Sequence, residues 1–503
     1  MSLVSQVGRK RPRARFAMGF LYLLLTLGAL TTVYPFLLMV STGLKGPTDQ
    51  NDTSVVPVYV SDSNELLSKY VDDKYAGNLE MIGSTRIGDE GDVAEYDRFL
   101  MALPNDMWTA GFRLAPNQVT SRVTQRYQTW LRTKFASIEE LNKAYIEENV
   151  AFQTVQPPTE QLERATWEPL AAQRYSDWLE FKKTLPAEYR IPVRTTRLWQ
   201  EYLRTTYKNR IDDVPADLKG AAKSFETIIT KPSDPLYMKQ LPERYQNGTA
   251  EELWTASHTG PMPIAAAEKD FVSSNASKIK QEFAGRNFRY VLDYILINGR
   301  AVLNTIIFCG LAILTQLVVN PLAAYALSRY PIKASGKILL FLLATMAFPA
   351  EVAMIPSFLL LKDLHLLNTF AALVLPGMAS GYMIFLLKGF FDSLPTELFE
   401  AGQLDGAPET TLLARIAIPL TKPVLGYLAL MAFMASYSTF MFAFLVAQDQ
   451  RMWTLMVWVY QLQTTAPKAV VMAALALAAL PTLLVFLFAQ RVIMKGIVIP
   501  GDR

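Results

Sequence analysis

The residues with the clearest chemical character lie in a short polar segment between two apolar stretches, EAGQLDGAPETTLLARIAIPL at residues 400–420. Its carboxylates, among them Glu400 and Asp405, alternate with small residues and prolines. Proline suits the start of a helix and glycine tolerates a positive φ, so the pattern predicts two short helices that meet at Gly406. Small side chains beside this corner permit close approach of another surface. The segment is therefore expected to bind a partner.

Three prolines predict the helix boundaries of this segment. Pro395 is expected at the first position of a helix that ends near Leu404, and Pro408 starts a second helix in the same way. Pro419 is expected to end that helix after Ile416. Two short helices of this kind have nothing in their own chain to bury against, which again indicates docking on another protein.

The rest of the sequence gives little indication of a catalytic site. The phosphate-binding pattern G-x-x-x-x-G-K-[ST] does not occur in the sequence, so this chain is not expected to bind or hydrolyse ATP. The region 43–299 has one histidine, His258, and no cysteine with which to build a metal site; the single cysteine of the chain is Cys309. We therefore predict no catalytic residue, metal or cofactor in this chain. A glycan-active enzyme within residues 43–299 is a weaker alternative, because carboxylates are plentiful there.

Apolar runs dominate the beginning and the second half of the chain. Six of them are long enough to cross the hydrocarbon core of a bilayer, which takes about 20 helical residues. The predicted spans are residues 16–42, 300–327, 337–360, 369–388, 421–447 and 468–490. The predicted fold class is an all-α polytopic membrane protein with six transmembrane helices.

The positions of basic residues predict the orientation. Lysine and arginine mark cytoplasmic loops, and they cluster at residues 9–15, 329–337 and 491–495. Both termini, including a basic N-terminal segment of residues 1–15, are then cytoplasmic, and so is the polar segment. Residues 43–299 form a large extracytoplasmic insert between spans one and two. The net charge of +4 is small and its basic clusters follow the topology, so no nucleic-acid partner is expected.

The insert carries a recurring aromatic pattern that predicts a mainly helical domain. Each repeat places two aromatic residues and a leucine on one helix face. The repeats are Tyr127-x-x-Trp130-Leu131, Tyr175-x-x-Trp178-Leu179 and Trp199-x-x-Tyr202-Leu203. The simpler interpretation is three core stripes. The sharper interpretation is that Trp130, Trp178 and Trp199 contribute to a platform that recognises sugar rings.

Polar residues within the predicted spans are candidates for a substrate path. Such groups are costly in a bilayer, so they mark functional sites or hydrogen bonds between helices. The candidates are Glu351, Asn304, Tyr382, Tyr437, Ser438 and Thr439. For each of them a structural hydrogen bond is the alternative. Glu351 lies between two prolines and is also suited to capping a broken helix.

The polar segment resembles the EAA loop of ATP-binding-cassette (ABC) importer permeases. Glu400 and Ala401 begin the motif, Gly406 stands at its seventh position, and Ile416 and Pro419 follow at the expected spacing. We name residues 393–420 the EAA loop. The residues that this resemblance assigns to ATPase coupling are Glu400, Ala401, Gly402, Asp405, Gly406, Ala407, Ile416 and Pro419. Two departures are mild: the third EAA position is Gly402 instead of alanine, and Ile418 replaces leucine before the proline.

Two longer stretches, SLPTELFEAGQLDGA and VMAALALAALPTLLVFLFAQRVIMKGIVIPG, resemble sugar permeases of the maltose-transporter G type. The resemblance implies a permease core at residues 300–503 in the bacterial cytoplasmic (inner) membrane, in contact with lipid. It also implies an ABC ATPase dimer that carries the ATP and Mg²⁺, a second permease subunit and an extracytoplasmic solute-binding protein. Sugars or oligosaccharides are the implied cargo. The alternative is a permease-derived membrane anchor that displays an outer binding or sensing domain, since the family pattern does not account for the insert.

Overall fold

Apolar runs form the long helices of this protein, and proline, glycine and polar residues mark their ends. The computed structural model describes residues 12–76, 93–113, 119–149, 151–162, 164, 167–169, 172–228, 234–245, 247–297, 300–347 and 349–496. Residues 9–11 of the first basic cluster and residues 497–503 lie outside the described part. The chain divides into two compact units, Met1–Tyr290 with Ala466–Ala473 and Val291–Thr465 with Ala474–Arg503.

The first unit is mainly helical, as predicted for the insert, and it also includes the first apolar helix. Its helices are α1 (Pro12–Gly43), α2 (Val58–Ser61), α3 (Ser63–Tyr75), α4 (Val93–Ala102), α5 (Arg122–Lys134), α6 (Ile138–Tyr145), α7 (Gln173–Lys183), α8 (Thr195–Thr206), α9 (Ala216–Lys219), α10 (Pro235–Gln240), α11 (Ala250–Ser257) and α12 (Ile264–Leu292). Two short strands, β1 (Trp108–Ala110) and β2 (Arg190–Pro192), pair antiparallel. The sequence pattern did not predict this small sheet.

Aromatic side chains and buried ion pairs hold the first unit together. Trp108 is 0% exposed and belongs to one large apolar core. Lys74 Nζ lies 2.5 Å from Glu268 Oε1, and both side chains are buried. Arg286 Nη2 lies 2.8 Å from Asp73 Oδ2, and these two side chains are also buried. Because buried charges are tolerated only when paired and hydrogen-bonded, these contacts fix the relative positions of α3 and α12.

The end of α1 is hydrogen-bonded to other parts of the first unit. Ser41 Oγ donates to the carbonyl oxygen of Ser54 at 2.8 Å. Asn287 Nδ2 on α12 donates to the carbonyl oxygen of Gly43 at 2.9 Å. The first apolar helix therefore continues into the insert through a fixed connection.

The later helices are α13 (Ala301–Arg329), α14 (Ser335–Thr345), α15 (Ala350–Asp363), α16 (Phe370–Val374), α17 (Gly381–Asp392), α18 (Thr396–Leu404), α19 (Glu409–Leu412), α20 (Ile418–Leu420), α21 (Lys422–Ser438), α22 (Met441–Val446), α23 (Leu455–Thr465) and α24 (Lys468–Gly496). Helix α13 is central to the second unit. Its buried residues contribute to two core clusters, one with α17 and α21 and one with α16 and α22.

Three of the six predicted spans are single helices. They are Met18–Gly43, Ala301–Arg329 and Lys468–Gln490. The other three are interrupted: residues 337–360 divide into α14 and α15, residues 369–388 into α16 and α17 with a 51° bend, and residues 421–447 into α21 and α22. Pro349 and the Pro376-Gly377 pair lie at two of these breaks, where helical hydrogen bonding is lost. The predicted six transmembrane helices are therefore not confirmed. The described residues contain three helices that are long and apolar enough to cross a membrane, or up to five such segments if each bent pair is one span.

Candidate functional site

At the corner of the EAA loop, helix α18 ends with a residue in the left-handed backbone conformation. The backbone N–H of Gly406 donates to the carbonyl oxygen of Gln403 at 3.0 Å. The N–H of Ala407 donates to the carbonyl oxygen of Gly402 at 3.0 Å. Together these bonds form a Schellman motif, which favours glycine at the position with positive φ. Gly406 occupies that position with φ +74°, so the expected glycine corner joins α18 to α19.

The two prolines that precede these helices lie one position earlier than expected. Pro395 and Pro408 are the N-cap residues of α18 and α19, so the first helical residues are Thr396 and Glu409. Each proline still contributes a fixed φ just before a helix starts. The predicted end of α18 at Leu404 agrees with the structure.

The prediction that Pro419 ends the second helix after Ile416 is wrong. A π-helical turn at Leu413–Ala417 follows α19, and the chain stays helical through Leu420. The wider turn alters hydrogen-bond spacing just before Pro419, where the ring of a proline would otherwise meet the carbonyl group four residues earlier. The change of direction comes after the proline, as an 83° bend between this helical segment and α21.

One face of the EAA loop packs against its own chain. Phe399, Leu412 and Ala417 are buried. They belong to a cluster that includes Tyr325 of α13 and Phe391 of α17. The expectation that the loop has nothing in its own chain to bury against is therefore wrong. The local sequence of the loop does not show that the distant helix α13, together with the preceding helix α17, supplies apolar surface.

Polar contacts reinforce this packing. The Tyr325 hydroxyl donates a hydrogen bond to Glu409 Oε2 at 2.8 Å. The Arg329 guanidinium carbon lies 3.7 Å from the centre of the Phe399 ring. Arg329 Nη2 also donates to the carbonyl oxygen of Phe391 at 2.6 Å. Hydrogen bonds to charged groups contribute about 1.5–3 kcal/mol. The contacts with Glu409 and Phe399 thus hold the EAA loop against the end of α13, and the bond to Phe391 connects α13 to α17.

Sequence reasoning did not assign a site role to these contact residues. The apolar positions Phe399 and Leu412 were a usable signal, because apolar residues on short helices indicate a packed face. Tyr325 and Arg329 carried no such signal, since they lie in a different helix from the loop. Their role follows only from the folded chain.

The opposite face of the EAA loop is exposed. Leu404 at the corner is 89% exposed, and Leu398 is 44% exposed. Glu400, Ala401 and Asp405 are exposed beside them. This face therefore leaves apolar side chains uncovered next to charged and small ones. The residues between the two faces are half-buried, namely Gly402, Ala407, Ile416 and Pro419.

Two substrate-path candidates make contacts between segments. Asn304 is buried, and its Nδ2 donates to the carbonyl oxygens of Arg451 at 2.8 Å and Trp453 at 3.0 Å. Tyr437 is 7% exposed, and its hydroxyl donates to the carbonyl oxygen of Ala478 on α24 at 2.5 Å. These geometries favour the structural alternative for both residues, because the side-chain donors are already engaged.

The other candidates lie at more accessible positions on different helices. Tyr382 is 38% exposed on α17. The hydroxyls of Ser438 and Thr439 donate to carbonyl oxygens of their own helix, each at 2.7 Å. Glu351 is exposed in the first turn of α15, where the helix dipole favours a negative charge. A substrate path along these residues stays a prediction.

The insert tryptophans do not share one surface. Trp178 and Trp199 are 0% exposed and pack in the core. A fully buried indole cannot stack on a sugar ring, so these two residues support the fold instead of a recognition platform. Trp130 is half-buried and lines a shallow groove. Among the described residues no group of three or more His, Cys, Asp or Glu side chains is arranged to hold a metal ion.

Residues 320–498 match the family model described as the binding-protein-dependent transport system inner membrane component. The EAA loop lies inside this match, and the insert lies outside it.

Three curated proteins illustrate the similarity. The sn-glycerol-3-phosphate transport system permease protein UgpE of Rhizobium meliloti is 30% identical over 205 residues, which are 40% of this chain and 72% of UgpE. The trehalose/maltose transport system permease protein MalG of Thermococcus litoralis is 34% identical over 199 residues, 39% of this chain and 72% of MalG. The polygalacturonan/rhamnogalacturonan transport system permease protein YtcP of Bacillus subtilis is 26% identical over 248 residues, 46% of this chain and 86% of YtcP.

Proposed function

Because the chain belongs to the family of binding-protein-dependent transport system inner membrane components, we propose that it is a permease subunit of an ABC importer and couples to a separate ATPase through the EAA loop. It is a membrane transport subunit and not an enzyme, as are the relatives named as transport system permeases. The observation that carries the coupling proposal is the two-faced EAA loop, which packs on α13 and α17 with one side and exposes Leu404 with the other.

This arrangement suits the transfer of motion from a partner. A cleft on the ATPase that buries Leu404 gains about 1.5–3 kcal/mol from one leucine side chain. The small residues Ala401 and Gly406 allow the partner surface to approach the corner. On the inner side, the Tyr325–Glu409 hydrogen bond and the Arg329–Phe399 contact pass a displacement of the loop to α13. Closure of the ATPases then shifts the spans as packed bodies.

The energy source lies in the partners. The sequence has no phosphate-binding loop of the G-x-x-x-x-G-K-[ST] type, so ATP and Mg²⁺ belong to the ATPase dimer. The complete importer also contains a second permease subunit and an extracytoplasmic solute-binding protein. In this arrangement both termini are cytoplasmic, and the insert faces the outside, where it contacts the binding protein or the solute.

Sugars or oligosaccharides are the proposed cargo. MalG is named for trehalose and maltose and YtcP for polygalacturonan and rhamnogalacturonan, whereas UgpE is named for sn-glycerol 3-phosphate. Carbohydrates and a small polyol phosphate share a hydroxyl-rich character. Two of these three relatives carry saccharides by name, and that class is the one we assign.

Gentle purification of the tagged chain from its native membrane tests the assembly. We expect an ABC ATPase and a second permease in stoichiometric amounts. Recovery of the chain alone, or with envelope proteins only, contradicts the importer and favours a membrane anchor that displays the insert.

A pair of substitutions at the corner tests the coupling. Asparagine and aspartate both tolerate the positive φ of Gly406, but only aspartate adds a charge to the docking surface. We expect Gly406→Asp to abolish uptake in a strain without a second copy, while the protein remains inserted. Gly406→Asn is the matched control and retains most of the uptake. Normal uptake with Gly406→Asp rules out coupling through this corner.

A further inference from the structure

The first unit contains a cavity of about 930 Å³ that the permease function does not use. Its walls come from the end of α3, strand β1, the start of α7 and residues 156–162, 164 and 167–168. A cavity of this size falls within the range of about 300–1,000 Å³ that is typical of small-molecule sites. The volume therefore suits a small oligosaccharide or a ligand of similar size.

Two aromatic residues form part of the wall. Trp167 and Tyr175 are both half-buried, and their ring centroids lie 6.0 Å apart with planes inclined by 66°. Half-buried rings leave part of their apolar surface accessible, in contrast to Trp178 and Trp199, which are enclosed. Apolar ring faces supply contact area with little loss of conformational entropy.

A buried polar cluster supports the same wall. The Glu160 side chain is 1% exposed and Lys182 is 0% exposed, with Lys182 Nζ 3.0 Å from Glu160 Oε1. Lys182 Nζ also donates to the carbonyl oxygen of Trp108 at 3.0 Å. Burial lowers the pKa of the Lys182 ammonium, and the Glu160 carboxylate opposes this shift. The segment that carries Glu160 is thus held in place from inside the domain, so the cavity wall is built before any ligand enters.

Each cationic side chain among the described residues of the cavity wall lies close to a carboxylate. Arg113 Nη1 lies 3.3 Å from Glu160 Oε2, and Arg174 Nη1 lies 2.5 Å from Glu147 Oε1. Arg164 Nε lies 3.5 Å from Glu201 Oε1, and Lys74 Nζ lies 2.5 Å from Glu268 Oε1. Each described lining cation therefore already has a carboxylate within 4 Å, although Arg113 shares Glu160 with Lys182 and Arg164 shares Glu201 with Arg204. Paired charges still offer both donors and acceptors to hydroxyl groups.

We propose that this cavity binds a neutral oligosaccharide, with Trp167 and Tyr175 packing against sugar rings and the partly exposed guanidinium groups of Arg113 and Arg174 donating hydrogen bonds to sugar hydroxyls. The choice of a carbohydrate over another neutral polar ligand rests on the proposed function. The cavity gives the insert a direct role in capturing solute, beyond that of a docking surface for another protein. Because each described lining cation already faces a carboxylate, an acidic saccharide is expected to bind more weakly than a neutral one.

Direct titration of the purified full-length chain in lipid nanodiscs, without partners or ATP, tests the proposal. The probes are neutral tetrasaccharides (maltotetraose, cellotetraose, mannotetraose and xylotetraose), with tetragalacturonate as the acidic counterpart. We expect at least one neutral tetrasaccharide to bind at millimolar concentrations or below and tetragalacturonate to bind more weakly. Failure of all neutral probes, or preference for tetragalacturonate, overturns the proposal.

Substitutions of Trp167 locate the binding site. Trp167→Ala is expected to weaken binding about tenfold or more, a difference of about 1.4 kcal/mol. Trp167→Phe keeps an aromatic face and is expected to retain most of the affinity. Met238→Ala, at a position on α10 that is 60% exposed and outside the cavity lining, is the control and leaves binding unchanged. Equal binding by the wild-type chain and Trp167→Ala overturns the assignment, and the Phe variant shows whether any loss reflects the missing ring or a misfolded domain.

The two proposals fail in distinguishable ways. Binding that depends on Trp167 in a chain that purifies without an ATPase supports the cavity and contradicts the importer. Loss of uptake with Gly406→Asp, together with saccharide binding that is unchanged by Trp167→Ala, supports the importer and contradicts the cavity.

Discussion

Gly402 and Leu412 pack against each other across the corner of the EAA loop. A Cβ atom placed on Gly402 would lie 2.5 Å from Leu412 Cδ2, closer than such atoms approach in folded proteins. Leu412 is 1% exposed, so its side chain has little room to move. The glycine at the third EAA position, which departs from the alanine of the motif, therefore accommodates a buried leucine from the second helix of the loop.

This contact predicts the effect of restoring alanine. Gly402→Ala is expected to lower stability by about 1–3 kcal/mol through overpacking and to reduce uptake. Adding Leu412→Val removes the Cδ atoms, and the double variant is expected to recover most of the loss. Thermal unfolding and uptake of the single and double variants form a double-mutant cycle. Gly389→Ala is the control, because no atom lies within 4 Å of a Cβ at that position. If the effects of Gly402→Ala and Leu412→Val on stability are simply additive, the packing of Gly402 against Leu412 is contradicted.

The Tyr325–Glu409 hydrogen bond predicts a coupling defect. Tyr325→Phe keeps the ring against Phe391 and Phe399 but removes the hydroxyl that holds Glu409. We expect the assembled importer to hydrolyse ATP at a normal rate while less solute enters per ATP, because the loop is held less firmly against α13. Tyr330→Phe is the control, since Tyr330 is 47% exposed. An unchanged transport-to-ATP ratio in proteoliposomes excludes this link.

Tyr437 provides a test of structural against substrate-binding roles. Tyr437→Phe removes the hydrogen bond to the carbonyl oxygen of Ala478 and is expected to lower stability by about 0.5–1.5 kcal/mol. Because this hydroxyl is engaged between two helices, the order of preference among competing sugars is expected to stay the same. Competition uptake assays measure that order. A changed order assigns Tyr437 to the substrate path.

Asp52 predicts acid sensitivity of the first unit. Burial disfavours ionisation of its carboxylate, but hydrogen bonds with Ser54 and Val58 and the charge of Lys45 outweigh burial and lower its pKa to about 2. A carboxyl group with a lowered folded-state pKa stabilises the fold above its unfolded pKa, and this stabilisation is lost as the pH falls from about 4 towards 2. Solvent screening limits the contribution to about 1 kcal/mol.

The pH dependence of thermal unfolding measures this contribution. Asp52→Asn is expected to unfold at a lower temperature than wild type near neutral pH, and the difference is expected to shrink as the pH falls below about 4. Asp217→Asn, at an exposed position on α9, is the control. A difference between Asp52→Asn and wild type that stays constant with pH contradicts the role of the ionised carboxylate.

Local sequence was sufficient for the features that depend on neighbouring residues. The glycine corner at Gly406 was predictable because a positive φ and a Schellman motif are local requirements. The three unbroken apolar helices were predictable from their length and composition. The EAA motif could also be recognised from the sequence, because its residues lie within one continuous stretch of the chain.

Other features were decided by contacts between distant residues. Glu409 meets Tyr325 across 84 positions, and Lys74 meets Glu268 across 194 positions. The aromatic repeats predicted helices correctly, but only packing determined that Trp178 is enclosed while Tyr175, three positions earlier on α7, remains half-buried at the cavity.

The sequence by itself thus determined that the chain is mainly helical, which segments are apolar enough to cross a membrane and which one carries the EAA spacing. The tertiary structure decided which face of the EAA loop is free, where helices break and which polar groups are already paired. The physical reason is range: backbone propensity and periodicity act over a few residues, whereas burial and charge pairing depend on segments that meet only in the folded chain.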